Sequence, residues 1–134
     1  MVISSEKASP ALADTSLFIA VETGRPLASA SLQAVAVSMV TIGELRFGVL
    51  SAKTDLVRAR RLETLLWAQQ YDPIPIDDAV AAAWARLRVD LRAAGRRLPM
   101  NDSWIAATAI AHGLSVATQD GDYDDVPGLT TIRV

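Results

Sequence analysis

The sequence has no cysteine and a single histidine, His112. These two absences exclude disulfide scaffolds, cysteine nucleophiles, cysteine–zinc sites and any mechanism needing two imidazoles. They fit a reducing compartment. Lysine is nearly missing as well: eleven of the 13 basic residues are arginine, leaving only Lys7 and Lys53. A net charge of −2 rules out a bulk polycation, so nucleic-acid binding requires the arginines to be segregated on one face. The first ten residues contain Glu6 and Lys7 and lack the apolar core of a secretory signal. The longest uncharged run, Pro26 to Gly43, is broken by a proline, serines, a glutamine and a threonine, so a spanning helix is not expected. A cytoplasmic protein without membrane association is the expectation.

What is present describes a globular domain. Half of the 134 residues are hydrophobic (51%) and 21% are charged, a balance that excludes disorder and suits one domain over residues 1–134. Met1 to Pro10 form a short polar lead-in. Ala11 to Ala13 read as a small apolar strand and Thr15 to Glu22 as a helix, with Gly24 and Pro26 as punctuation. Ala34 to Ser38 read as a second strand, followed by a helix from about Thr41 to Ala52. Leu56 to Gln70 carry Leu56, Leu62, Leu65, Leu66 and Trp67 at helical spacing. Asp72 to Ile76 suggest a short strand held by two prolines, Pro73 and Pro75. Asp77 caps a long helix through Val80, Trp84, Leu87 and Leu91 to Gly95. Asn101 caps the next helix, which ends at His112-Gly113. Leu114 to Thr118 form a buried strand and Thr130 to Val134 an edge strand. Short apolar strands alternating with helices imply a three-layer α/β/α sandwich around a mostly parallel sheet. Ligands of such a sheet sit beyond the carboxyl ends of its strands, where the strand order reverses.

Four acidic residues fall at equivalent places in this plan. Asp14 closes the first strand, Glu44 lies in the first turn of the helix after the second, Asp102 follows Asn101, and Asp120 begins the turn after Leu114 to Thr118. Singly, each has an ordinary explanation. Thr41 to Glu44 is a capping-box pattern, Asp14 and Asp102 suit helix N-termini, and Asp120-Gly121 is a turn pair. Together they gather negative charge in one crevice, at a cost of about 1 kcal/mol per close pair even in water. A divalent cation removes that cost, and oxygen-only ligands favour Mg²⁺ or Mn²⁺ over zinc.

The segments around these acids are Ala13-Asp14-Thr15-Ser16, Ile42-Gly43-Glu44-Leu45-Arg46-Phe47-Gly48-Val49, Asn101-Asp102-Ser103-Trp104-Ile105-Ala106-Ala107-Thr108-Ala109 and Thr118-Gln119-Asp120-Gly121-Asp122-Tyr123. In this order and spacing they resemble the four acidic motifs of PIN-domain ribonucleases, most closely the VapC toxins of bacterial toxin–antitoxin pairs. The resemblance runs from Leu12 to Val134. It implies a Mg²⁺-dependent endoribonuclease, with Mn²⁺ as a substitute. Asp14, Glu44 and Asp102 become the central carboxylates and Asp120 completes the site. Asp14 and Asp102 become metal contacts, direct or through water, with Glu44 and Asp120 reaching the ion through water, and Thr15 and Ser16 become auxiliary hydroxyls. Asp122 crowds the same turn and shares or replaces the role of Asp120, unless Asp122, Asp124 and Asp125 simply form a solvated acidic loop. The resemblance also implies a VapB-like antitoxin partner, a toxin homodimer, and a hetero-oligomer that binds promoter DNA through the antitoxin.

An acidic site repels RNA, so affinity must come from cations elsewhere. Arg86, Arg88, Arg92, Arg96 and Arg97 stand against Asp90 alone, and Arg88, Arg92 and Arg96 share a helix face. With Arg46 they are the candidate phosphate contacts. Trp67, Trp84 and Trp104 occupy apolar helix positions suited to core or dimer contacts, and His112 suits a helix C-terminus. Two other functions compete. A phosphoacceptor receiver domain also clusters aspartates but uses a lysine at the pocket, which neither Lys7 nor Lys53 is placed to supply. A catalytically dead partner-binding module is opposed by the presence of all four acids. Gly43 to Gly48 has P-loop spacing but continues Val49-Leu50, which excludes a P-loop.

Overall fold

The computed structural model describes residues 10–27 and 35–134; most of the polar lead-in and Ala34 of the second expected strand lie outside the described residues. The elements run β1 (Ala11–Ala13), α1 (Thr15–Glu22), β2 (Val35–Ala36), α2 (Met39–Leu50), α3 (Asp55–Gln69), α4 (Asp78–Ala93), α5 (Met100–Ala111), β3 (Ser115–Thr118) and β4 (Thr131–Arg133). All strand pairings are parallel, in the order β2-β1-β3-β4. Alternation along β1 builds the layers. Ala11 and Ala13 face a core with Leu17, Phe18, Leu65 and Ala68 of α1 and α3. Leu12 faces the other core, with Leu87 and Leu91 of α4 and Ile105, Ala106 and Ala109 of α5. The three-layer α/β/α architecture expected from the sequence is the one observed. No helix of the described residues is long and apolar enough to cross a membrane.

β1 lies between β2 and β3, so the chain leaves it toward one edge and later returns on its other side. That reversal opens a crevice at the carboxyl ends of β1 and β3. The Asp14 amide bonds the Ala117 carbonyl at 2.9 Å, carrying the β1–β3 ladder to the rim of the crevice.

Four local expectations need correction. α2 begins at Met39 rather than near Thr41, because Ser38 is its N-cap and accepts from the Val40 amide at 3.1 Å. The Thr41–Glu44 capping box is therefore not formed. α5 begins at Met100 with Pro99 at the N-cap position, where no side chain caps the helix, so Asn101 is free to act elsewhere. The expected strand over Asp72 to Ile76 shrinks to one bridge, between Ser38 and Ile74. Pro73 and Pro75 have no N–H to extend that ladder. In α3, Leu65 is buried and Trp67 packs edge-on to Phe18 at 4.9 Å, but Leu56, Leu62 and Leu66 face outward. The inward positions go to the smaller Thr64 and Ala68, which let α3 lie close to its neighbours.

Candidate metal centre and active site

Asp14 is the innermost acid of the crevice, only 4% exposed. The end of β1 delivers it to the N-cap of α1, where the Ser16 amide lies 3.4 Å from its Oδ2. The Thr118 hydroxyl donates to the same oxygen at 2.9 Å, and the Tyr123 hydroxyl donates to Oδ1 at 3.0 Å. Tyr123 is fully buried, and burial together with the Asp14 and Asp102 charges pushes its pKa far above the ordinary phenol range. It therefore remains a protonated donor to the carboxylate.

Thr118 also accepts from the Asp120 amide at 2.8 Å, tying the end of β3 to the acidic turn. Ser16 lies 3.2 Å from Thr118 Oγ1 and accepts from the Gln119 amide at 3.1 Å, so its hydroxyl joins α1 to the same turn. Asp120 caps the 3₁₀ turn Gly121–Tyr123 by accepting from the Asp122 amide at 2.9 Å. Glu44 projects from α2 and accepts from Thr15 Oγ1 at 2.6 Å and Asn101 Nδ2 at 3.4 Å. Thr41, which had a capping role on sequence grounds, instead lies 2.9 Å from Thr15 Oγ1 and supports the hydroxyl that holds Glu44.

Among the described residues, Asp102, Asp120 and Asp122 each present a carboxylate oxygen, and these atoms all lie within 4.8 Å of one another. Asp14 joins this group indirectly, through Thr118 and Tyr123, while Glu44 stands on the α2 side. The crowding has an electrostatic signature. Asp102 is pushed up to about 7, chiefly by burial, then by the Asp14 and Asp120 charges and less by Glu44, with the Tyr123 hydroxyl acting in the opposite direction. A divalent cation among these oxygens would relieve both the crowding and the shift, so the residues fit such an ion.

The structure brings the four acids singled out in the sequence to one crevice, places Asp122 beside Asp120, and adds Tyr123, Thr118 and Asn101, whose contacts the sequence did not announce. Asp122 belongs to the close group of carboxylates, whereas Asp124 pairs with Arg133 at 3.4 Å. The contact of Tyr123 with Asp14 spans 109 positions, which no local pattern announces. Tyr123→Phe should keep the packing and lower stability by about 1 kcal/mol, since a buried carboxylate loses a donor. Urea denaturation of the metal-free protein checks this.

The cations lie outside the crevice. Arg88 sits over the Trp84 ring at 5.5 Å, and Trp84 stacks on Trp104 at 4.3 Å. Arg88, Arg92, Arg96 and Arg97 line one cleft of about 540 Å³. Arg86 instead pairs with Asp90 at 3.4 Å, and Arg46 is exposed on α2. A larger groove of about 910 Å³ opens beside Glu44 and Asn101, with Ile19, Val40 and Phe47 among its apolar walls. Phe47 is 72% exposed.

Carboxylates gathered at the reversal point of a parallel sheet, with hydroxyl donors on Asp14, define an α/β protein with an acidic crevice whose oxygens suit a hard cation. The chain belongs to the PIN domain family, whose model matches residues 11–129. It is 52% identical over 126 residues to Ribonuclease VapC4 of Mycobacterium tuberculosis, covering 92% of this chain and 96% of that protein. The crystal structure of VapBC-5 from M. tuberculosis, a member of the VapBC family of toxin–antitoxin systems, superposes with a TM-score of 0.85. Identity there is 43%, and the match covers 94% of this chain and 99% of that one. FitAB bound to the IR36 DNA fragment superposes at 0.71 with 27% identity, covering 90% and 92%.

Proposed function

We infer that this protein is a metal-dependent endoribonuclease and the toxin of a VapBC-type pair. The observation that carries the reading is the four-motif acidic crevice, in which burial and then the charges of Asp14 and Asp120 push the pKa of Asp102 up to about 7. The relatives, named ribonucleases and toxin–antitoxin complexes, support it. Mg²⁺ is the proposed ion, with Mn²⁺ as substitute, held by Asp14 and Asp102 with Asp120 and Asp122. When bound, such an ion neutralises charge at phosphorus and acidifies a water.

The chain's own residues do the rest. Tyr123 and Thr118 fix both oxygens of Asp14 from behind, so the carboxylate has little freedom to turn away from its task. Thr15 and Asn101 hold Glu44, which accepts a proton from the attacking water and aligns it. Because external water attacks, the products carry 5′-phosphate and 3′-hydroxyl ends. Arg88 and Arg92 in the arginine cleft, with Arg46 on α2, contact the RNA backbone. Charge reversal of Arg88 and Arg92 together should weaken RNA binding at least tenfold and flatten its salt dependence, measured by filter binding at several salt concentrations.

The antitoxin occupies the apolar groove beside Glu44 and presents a cation to the acidic crevice, where charge complementarity favours it. The toxin dimerises, and the complex binds promoter DNA through the antitoxin. The deciding experiment incubates the partner-free protein with end-labelled total RNA, with and without Mg²⁺ or Mn²⁺. Metal-dependent cuts bearing 5′-phosphates are expected. Intact RNA in every lane, or 2′,3′-cyclic phosphate ends, would overturn the reading.

A further inference from the structure

The turn that supplies Asp120 and Asp122 also carries Asp124 and Asp125, four negative charges within six residues. Left alone such a turn would expand, because like charges at short range repel. Two arginines from distant elements meet it. Arg96 follows α4, whose end is closed by a bond from the Gly95 amide to Arg92 and one from the Arg96 amide to Leu91 at 2.9 Å. This closure uses Gly95 at φ +66°, a left-handed position that disfavours side chains, and it fixes where Arg96 leaves the helix. The Arg96 guanidinium then donates to two backbone carbonyls of the turn, Nη1 to Asp124 and Nη2 to Asp122 at 3.2 Å. Arg133, on β4, donates to the Gln119 carbonyl at 3.0 Å and pairs with the Asp124 carboxylate at 3.4 Å.

The choice of acceptors matters. Both arginines grip the turn by its backbone, and the one carboxylate they take is that of Asp124. Among the described residues neither forms an ion pair with Asp120 or Asp122. Positive charge thus offsets the repulsion within the turn without occupying the two carboxylates that converge on Asp102.

We propose that Arg96 and Arg133 are positioning residues, a two-armed clamp that holds the Gln119–Asp124 turn so that Asp120 and Asp122 stay within ligating reach of Asp102. The inference rests on the metal-dependent reading given above. It adds a division of labour within the turn: Asp122 serves the ion and Asp124 serves the clamp.

The test is Mn²⁺ binding to the RNA-free protein by isothermal titration calorimetry, with circular dichroism to verify folding. Arg96→Met and Arg133→Met should each raise the Mn²⁺ Kd about tenfold or more, the size of effect seen when the support of a metal ligand is removed. Arg96→Lys keeps the charge but not the fork, and should fall between wild type and Arg96→Met. Asp124→Asn, which releases one arm of Arg133, should raise the Kd in the same direction. If Arg96→Met does not fold, Arg133→Met and Asp124→Asn carry the test. Folded variants with a lowered melting temperature but wild-type Mn²⁺ affinity would overturn the clamp. So would unchanged Mn²⁺ affinity with weakened RNA binding, the behaviour of a phosphate contact alone. Wild-type protein that binds no Mn²⁺ would overturn the clamp and the metal-dependent reading together. Wild-type binding with unaffected variants would overturn the clamp only.

Discussion

Asp14→Asn should reduce RNA cleavage by at least about 10²–10³-fold, the scale on which one well-placed electrostatic contact in a water-poor site acts. The loss should come without unfolding. Asparagine has the shape of aspartate and keeps an oxygen to accept one of the two buried hydroxyls that now point at Asp14. The hydroxyl left facing the amide can rotate to accept from it. The substitution also removes one charge from a crowded crevice, which offsets the weakened capping of α1. The expected change in stability is within about 1 kcal/mol. Asp14→Ala differs: it leaves Tyr123 with no acceptor in a buried place, with only the Ser16 hydroxyl remaining for Thr118, and should cost about 1–3 kcal/mol. Cleavage assays beside urea denaturation of both variants separate the two effects. Asp14→Asn protein that cleaves within tenfold of wild type would remove Asp14 from the centre of the site.

Asp102→Asn should abolish cleavage on a similar scale and, in the metal-free protein, raise stability at alkaline pH. Folding shifts the Asp102 pKa from 3.8 to about 7, so the folded state holds the proton more tightly than the unfolded state. The stability linked to that proton is complete below pH 3.8 and is lost as pH rises through 7. Asparagine is neutral at every pH and does not suffer this loss. The variant should therefore match wild type near pH 4 and exceed it at pH 8. After discounting for the solvent that reaches this half-buried group, the gain is about 1–2 kcal/mol, or about 3–8 °C in melting temperature. Scans in EDTA across this pH range measure it. Mg²⁺ should reverse the order, raising the melting temperature of wild type more than that of the variant. A difference between the two proteins that does not change with pH would contradict the electrostatic account.

Much of the fold was legible, and so was the gathering of the four acids at one side of the sheet, because both follow from the alternation of strands and helices. Asp14 and Asp120 follow short apolar strands, Glu44 and Asp102 lie near the starts of α2 and α5, and a parallel sheet with crossover helices brings strand ends and helix starts to one side. What was not legible depended on choices between equivalent local signals. Ser38 and Thr41 are both good helix caps, and local propensity does not choose between them; the pairing of Ser38 with Ile74 does. Asn101 reads as a cap until α5 starts two residues earlier, with Pro99 at the N-cap, and its side chain turns toward Glu44. Apolar residues in α3 recur on more than one face, so periodicity alone does not reveal that Leu62 and Leu66 point outward while Thr64 points in. Arg96 reads as one member of a basic stripe, and only the folded turn shows its guanidinium bonded to the carbonyls of Asp122 and Asp124.

The partners of Asp14 carry a consequence for the order of events in synthesis. Its carboxylate is set at the end of the first strand, yet the hydroxyls that orient it arrive 104 and 109 residues later, on Thr118 and Tyr123. A chain emerging from a ribosome therefore exposes its key acid early, in a form that nothing yet aims. The acidic crevice is complete only once β3 has paired beside β1 and the acidic turn is in place. Whatever work an aimed Asp14 does therefore waits for the C-terminal part of the chain.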